Sequence, residues 1–274
     1  MARIDYDQVA GVYDTDRAVP AETRLPWRDA VAAYLPPASG LPVLDLGAGT
    51  GLFAVAIADW FDARVVAVEP SSGMREAAGA RRADPRIAWV AGVGERLPLR
   101  DRCCDSTWLS TVIHHLDDLD ATARELHRVL RPGGWVLIRS AFPDRVPPVP
   151  RLEFWPGTKA LLDGFPGSRR TIAAFAAAGF GFERLERVRD LLAGSLREYL
   201  DRARVRADSL LRQLPDDEFD RGLRRLEQAA ALETDPRPIF RPLDLLVLRA
   251  APREPPGDRW SSAPPEARAR RPPR

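Results

Sequence analysis

Two carboxylates and a run of glycines stand where a nucleoside would need them. Asp45 precedes the turn in Val43-Leu44-Asp45-Leu46-Gly47-Ala48-Gly49-Thr50-Gly51, and Glu69 follows the last glycine by eighteen residues in Val65-Val66-Ala67-Val68-Glu69-Pro70. Glycine has no Cβ, so it takes positive φ freely and lets a ligand approach the backbone N–H groups. An acid at the end of the second strand suits the paired hydroxyls of a ribose. A dinucleotide site would use G-x-G-x-x-G and set a helix N-terminus against a pyrophosphate. Here Leu52 occupies the place of the third glycine, and Asp45 would repel a pyrophosphate but attract a cation. A ligand with adenosine at one end and an ammonium-bearing amino acid at the other meets both conditions. S-adenosylmethionine is such a ligand.

Positioning these groups takes a strand, a tight turn, a helix and a second strand. Residues 43–46 form a short apolar run, and Leu52, Phe53, Ala56, Ile57 and Trp60 continue at helical spacing. Strand-like and helix-like segments alternate beyond, which predicts a parallel sheet covered by helices on both faces. Strands are expected near 43–46, 64–68, 87–91, 105–110 and 135–139, with a poorly alternating sixth over 180–188 and a last at 242–248. Ser71 or Ser72 is placed to cap a helix running to 82. Ala123, Leu126, His127 and Leu130 face inward from the helix ahead of Pro132-Gly133-Gly134, and a helix over 171–178 stops at Gly179.

The chain divides into a helical segment over 1–40, a core over 41–193, a helical insertion over 194–241, a final core strand over 242–250 and a Pro/Arg-rich tail over 251–274. The insertion shows Leu196, Tyr199, Leu200 and Ala203 on one helical face and Phe219, Leu223, Leu226 and Ala230 on another. It is expected over the carboxyl ends of the strands, where open α/β sheets bind ligands, as a cap on an acceptor pocket. A solvated amphipathic addition or a dimer surface is the alternative. The tail has few apolar residues and is expected to be disordered.

Composition narrows the class. A net charge of +2, from 41 basic against 39 acidic residues, speaks against a dedicated nucleic-acid binder. No run approaches the roughly 18 apolar residues of a membrane span. The first seven residues are acidic and lack an apolar stretch, so a secretory signal is not expected. The two cysteines, Cys103 and Cys104, are neighbours and make no disulfide framework. Cys104 reads as a buried packing residue. A cytoplasmic protein that uses no metal, acting as a monomer or homodimer, is the expectation. Lys159 is the single lysine, and the many arginines read as a compositional bias because they are scattered.

Five motifs carry a resemblance: VLDLGAGTG, VVAVEP, GERLPL at 94–99, Asp105-Ser106-Thr107-Trp108-Leu109-Ser110, and Leu130-Arg131-Pro132-Gly133-Gly134. In this order they resemble class I SAM-dependent methyltransferases of the ubiquinone/menaquinone-biosynthesis-like (methyltransferase type 11) family, closely over 5–139 and more loosely to 249. The resemblance implies an α/β fold with a Rossmann-like seven-stranded, mostly parallel sheet and an antiparallel last strand. It implies S-adenosylmethionine as cofactor and methyl transfer to O, N or C of a small-molecule acceptor. Asp45, Gly47, Ala48, Gly49 and Gly51 would surround the methionine part, and Glu69, followed by Pro70, would bind the ribose. Met74 would pack on the adenine or merely fill the core. Gly94 and Glu95 would lie beside the adenine, and Leu109 and Ser110 would aim carbonyls at the amino group. Where relatives carry an acid before Gly94, this chain has Val93. Tyr6 to Asp14 matches a lid pattern that closes over the cofactor, with Tyr13 and Arg17 as acceptor contacts; alternatively, both tyrosines simply pack a helix on the sheet.

His114-His115 follows the fourth strand. An imidazole with an ordinary pKa of about 6.5 could take a proton from a phenol, an amine or an activated carbon acid. His114, nearer the strand, is the preferred base; the other reading is a histidine that caps backbone or packs beneath the pocket. Methyl transfer from a sulfonium is an in-line displacement needing orientation above all, so no covalent protein nucleophile is required. RNA or protein methylation, a non-catalytic SAM-binding partner and a nicotinamide oxidoreductase are the competing readings.

Overall fold

The computed structural model describes residues 24–35, 40–81, 83–206 and 208–251. Short apolar runs become β1 (Val43–Leu46), β2 (Val65–Val68), β3 (Ile87–Val90), β4 (Cys104–Ser110) and β5 (Leu130–Ser140). They are joined by β6 (Phe180–Arg187) and β9 (Asp244–Ala250) in one sheet of order β3-β2-β1-β4-β5-β9-β6. β1 to β5 run parallel, whereas β9 is antiparallel to both β5 and β6. The order reverses between β1 and β4, and that switch point is where open α/β sheets bind ligands. Asp45 lies there, level with Ala67 of β2 and Trp108 of β4.

Helices cover both faces. On one side α1 (Leu25–Val31) and α2 (Leu52–Phe61) enclose a cluster with Val43, Trp108, Leu137 and Val247; on the other α4 (Leu119–Val129) and α7 (Ser168–Ala177) pack against Leu44, Leu109, Ile138 and Leu248. α3 (Ser72–Arg81) links β2 to β3. Helix α1 is seated on the sheet: Trp27 and Val31 are buried, and Trp27 meets Trp108 edge-on at 6.0 Å. The more N-terminal helix expected around Tyr6–Tyr13 lies outside the described residues, as does most of the tail.

Two elements differ from the sequence reading. β5 starts directly at Leu130, so Pro132-Gly133-Gly134 is an irregular stretch within the strand, with Gly133 at φ +76°. A Cβ on Gly134 would stand 2.6 Å from the Asp105 carbonyl oxygen, which explains the glycine there. β6 alternates poorly because it is an edge strand with a register shift between Phe182 and Arg184, and Phe182 is exposed.

A third apolar cluster stands apart from the sheet. It joins Phe154 and Trp155 to Tyr199, Leu200, Phe219 and Leu226. These residues come from two stretches: α5 (Pro150–Phe154) with α6 (Thr158–Asp163), then α8 (Leu196–Arg204), α9 (Ser209–Arg212) and α10 (Asp216–Leu232). Trp155 stacks on Phe219 and donates its indole N–H to the Phe219 carbonyl at 2.9 Å. α10 accommodates that indole because Gly222 has no side chain; a Cβ would lie 2.1 Å from Trp155 Nε1. A two-stranded sheet, β7 (Asp190–Ala193) with β8 (Ile239–Arg241), leads into and out of the second stretch.

Candidate cofactor and acceptor site

Gly47, Gly49 and Gly51 have φ of +70°, +57° and +82°, a region that favours glycine. Crowding adds to this at two of them: a Cβ on Gly47 would be 2.4 Å from Val112 Cγ2, and one on Gly51 2.8 Å from the Trp89 ring. Gly47 and Ala48 donate their N–H groups to the Val68 carbonyl, at 2.8 and 3.2 Å, and Gly51 closes the turn onto Ala48. Glu69, nine-tenths buried, accepts from Gly49 N through Oε2 at 2.9 Å and from Ser71 N through Oε1 at 3.0 Å. It therefore braces the turn. A carboxylate has about four lone-pair sites, so these two N–H contacts do not by themselves exhaust it.

Asp45 is the more unusual group. It is 1% exposed, and its Oδ2 has no hydrogen-bond partner among the described residues. Burial, and then the negative charge of Glu69, push its pKa up to about 8, while an N–H of Ala54 in the first turn of α2 pulls the other way. An unpartnered buried carboxylate oxygen is costly in the folded protein. A cation delivered to it removes that cost, and a second anion worsens it. The donor set thus fits an ammonium-bearing nucleoside ligand better than a pyrophosphate.

Most other sequence-predicted residues gather around the same edge of the sheet, in differing roles. Met74 is buried, and its N–H is capped by Ser71 Oγ at 3.1 Å, which settles Ser71 as the cap of α3. Pro70 is exposed, and its carbonyl accepts from Arg75. Gly94 sits against Thr122 and Leu116, while Glu95 turns away to accept from the backbone of Asp117 at 2.8 Å and Asp118 at 3.2 Å. Its carboxylate is committed to the entry of α4. Val93 is exposed. Leu109 is fully buried, and the Ser110 carbonyl accepts from Thr111 Oγ1 at 2.7 Å. Thr111 itself has φ +54°, strained backbone at the carboxyl end of β4. Tyr13 and Arg17 lie outside the described residues.

A cavity of about 190 Å³ opens beyond this edge. Its lining includes Leu52 and Phe53 of α2, Thr111, His114 and His115, together with Arg151, Asp208 and Leu210. Neither Asp45 nor Glu69 belongs to its wall. His114, in a short 3-10 turn, stacks face to face on Phe165 with centroids 4.0 Å apart, which fixes its ring. Arg139 closes the wall from the end of β5: it is 7% exposed, lies over Trp27 and Phe53, and donates to Asp190 Oδ2 at 2.6 Å and Ser110 Oγ at 3.2 Å. Arg241 donates to the other oxygen of Asp190 at 3.0 Å. Burial pushes the Asp190 carboxyl up, but the two guanidinium charges prevail and hold it below the usual carboxylate range. The sequence reading missed Arg139, Arg151, Asp190 and Arg241. Arg139, ending a strand inside an apolar sheet, was the one available signal.

The described residues hold no cluster of three metal-binding side chains, and no helix among them is long and apolar enough to cross a membrane. Comparison with known proteins gives a consistent result. Residues 44–138 match the family model described as a methyltransferase domain. The ubiquinone/menaquinone biosynthesis C-methyltransferase of Caulobacter vibrioides is 36% identical over 141 residues, 47% of this chain and 56% of that protein. The chain thus spans little more than half the length of that relative. The demethylmenaquinone methyltransferase of a Parafrankia species is 32% identical over 211 residues, covering 58% of this chain and 81% of that protein. A solved protein of Anabaena variabilis assigned to methyl transfer in an antibiotic biosynthesis pathway shares the fold, with TM-score 0.68 and 23% identity over 82% of this chain and 98% of its own. With the glycine turn, Asp45 and Glu69 in place at the switch point, the chain belongs to the S-adenosylmethionine-dependent methyltransferases of the ubiquinone/menaquinone-biosynthesis type.

Proposed function

We propose that this protein transfers a methyl group from S-adenosylmethionine to a small molecule held in the cavity between the sheet edge and the helical cap. The observation that carries the reading is Asp45: a buried carboxylate oxygen without a partner among the described residues, beside a turn of three glycines at positive φ. Asp45 and the Gly47–Gly51 turn would hold the methionine part, and the carboxylate of Glu69, at the end of β2, the ribose. When bound there, the cofactor supplies an activated methyl group on a sulfonium.

The chain's own residues do the rest. Phe53, Trp27 and the cap residues Leu210 and Leu211 exclude water from the reacting end, and the cavity walls hold the acceptor in line. Such pre-orientation accounts for roughly 7–11 kcal/mol of a displacement barrier. His114, its ring fixed by Phe165, takes the acceptor's proton at an imidazole nitrogen, with Tyr13 as the second group proposed for acceptor contact. The alkylated atom is O, N or C, and the quinone-type substrates named for the relatives are one class that would fit. Unpaired Cys103 and Cys104, with thiols 3.8 Å apart, agree with work in the reducing cytoplasm.

Calorimetry with S-adenosylhomocysteine tests the cofactor half. Wild-type protein is expected to bind it, with Asp45→Ala and Glu69→Ala each losing at least about tenfold in affinity, or about 1.4 kcal/mol. Equal affinity in all three would overturn the reading. Mass spectrometry of small-molecule panels with labelled cofactor tests the acceptor half.

A further inference from the structure

We propose that the acceptor carries a carboxylate or phosphate, and that Arg151 recognises this oxyanion. The proposal rests on the cavity being the acceptor site. Arg151 is held from one side only: its Nη1 donates to Asp208 Oδ2 at 2.9 Å. Asp208 is itself fixed, its Oδ1 accepting from the backbone of Leu210 at 2.8 Å at the start of α9. The guanidinium therefore has a set orientation. Its other two donors, Nε and Nη2, are buried and have no partner among the described residues.

Those two atoms share one edge of the guanidinium plane. Their N–H bonds point the same way, which is the fork that takes both oxygens of a carboxylate or phosphate. A buried fork left empty is unfavourable, and an oxyanion admitted by a shift of the side chains around Arg151 satisfies it. The surrounding charge favours the same ligand. Arg139 and Arg241, both in the wall, donate to the two oxygens of Asp190. Arg202, also in the wall, has its carboxylate partner in Glu198, outside the wall. Asp208, which orients Arg151, belongs to the helical stretch over 196–232, and the anion is thus a handle on the acceptor.

The test titrates protein loaded with S-adenosylhomocysteine with benzoate, cinnamate and phenyl phosphate, and with the neutral benzamide and cinnamamide. An anion is expected to bind about tenfold or more tightly than its neutral counterpart, the gain of a charge-assisted pair. Arg151→Gln should abolish that preference while leaving S-adenosylhomocysteine affinity intact. Arg151→Lys, which keeps the charge without the fork, should retain only part of it and serves if the glutamine variant is poorly folded. Equal binding of anions and amides, no anion binding up to millimolar concentration, or a preference that survives in the folded Arg151→Gln protein would each overturn the proposal. Failure of wild-type protein to bind S-adenosylhomocysteine would instead strike the methyl-transfer reading.

Discussion

Replacing Asp45 by Asn tests the electrostatics of the cofactor site in the absence of any acceptor. The carboxyl is raised from 3.8 to about 8, so below pH 8 the folded protein binds a proton that the unfolded chain has released. A pKa raised by folding stabilises most below the unfolded value, and that stability is lost as pH rises through the folded one. At about 1.4 kcal/mol per unit, the full shift is worth on the order of 6 kcal/mol by pH 9, and relaxation of the site will reduce it. Asparagine has the same shape and no charge. The variant should therefore match wild type near pH 4 and exceed it at pH 9, where each kcal/mol is worth roughly 2–4 °C in melting temperature. A bound ammonium reverses the preference. Wild-type protein should release a proton on binding S-adenosylhomocysteine at pH 6–7, and its affinity should rise toward pH 8. The Asp45→Asn protein should bind more weakly and with no such proton release. Thermal unfolding at pH 4, 6 and 9, with calorimetry in buffers of different ionisation enthalpy, measures both effects. Identical pH profiles in the two proteins, or the same proton release, would refute the reasoning.

Three further substitutions probe the turn, the base and the cavity wall. Gly47→Ala places a methyl 2.4 Å from Val112 Cγ2 at φ +70°, and should cost about 1–3 kcal/mol in urea unfolding along with most S-adenosylhomocysteine affinity. His114→Gln should lower kcat by roughly 10²–10⁴-fold with cofactor affinity unchanged; an unchanged kcat would remove it as the base. Asp190→Ala leaves Arg139 and Arg241 without their shared carboxylate and should destabilise by about 3–5 kcal/mol. Because Asp190 is held below the usual carboxylate range, its contribution in wild type is present at neutral pH and disappears under acid, a dependence the alanine variant should lack.

The first βαβ unit was legible because its requirements are local. Alternate glycines, an apolar run and an acid at fixed offsets leave few other backbones, and the strands from 43 to 110 fall within a residue or so of expectation. The sixth strand was faint for a physical reason: an edge strand carrying a bulge has little apolar alternation to show. The cavity was not legible. Arg139 meets Asp190 across 51 residues and Arg151 meets Asp208 across 57, and nothing in a scattered arginine-rich composition marks which guanidinium will be buried. Nor did the short 150–163 segment announce that Phe154 and Trp155 would join helices some fifty residues further on, since two aromatics make no periodic face. Glu95 sits inside a recognisable motif, but the motif does not announce that its carboxylate accepts from the backbone of Asp117 and Asp118.

The cap has an apolar interior of its own, centred on Trp155 and Phe219, so its side chains can change without repacking either face of the sheet. What it cannot change freely is its mooring, since the strand that leads into it carries Asp190, held by Arg139 of the core through one oxygen and by Arg241 through the other. A cap transplanted from another enzyme would need an acid at that one position to sit level. With it, the helical unit could be exchanged between scaffolds as a module while the sheet and its covering helices stay as they are.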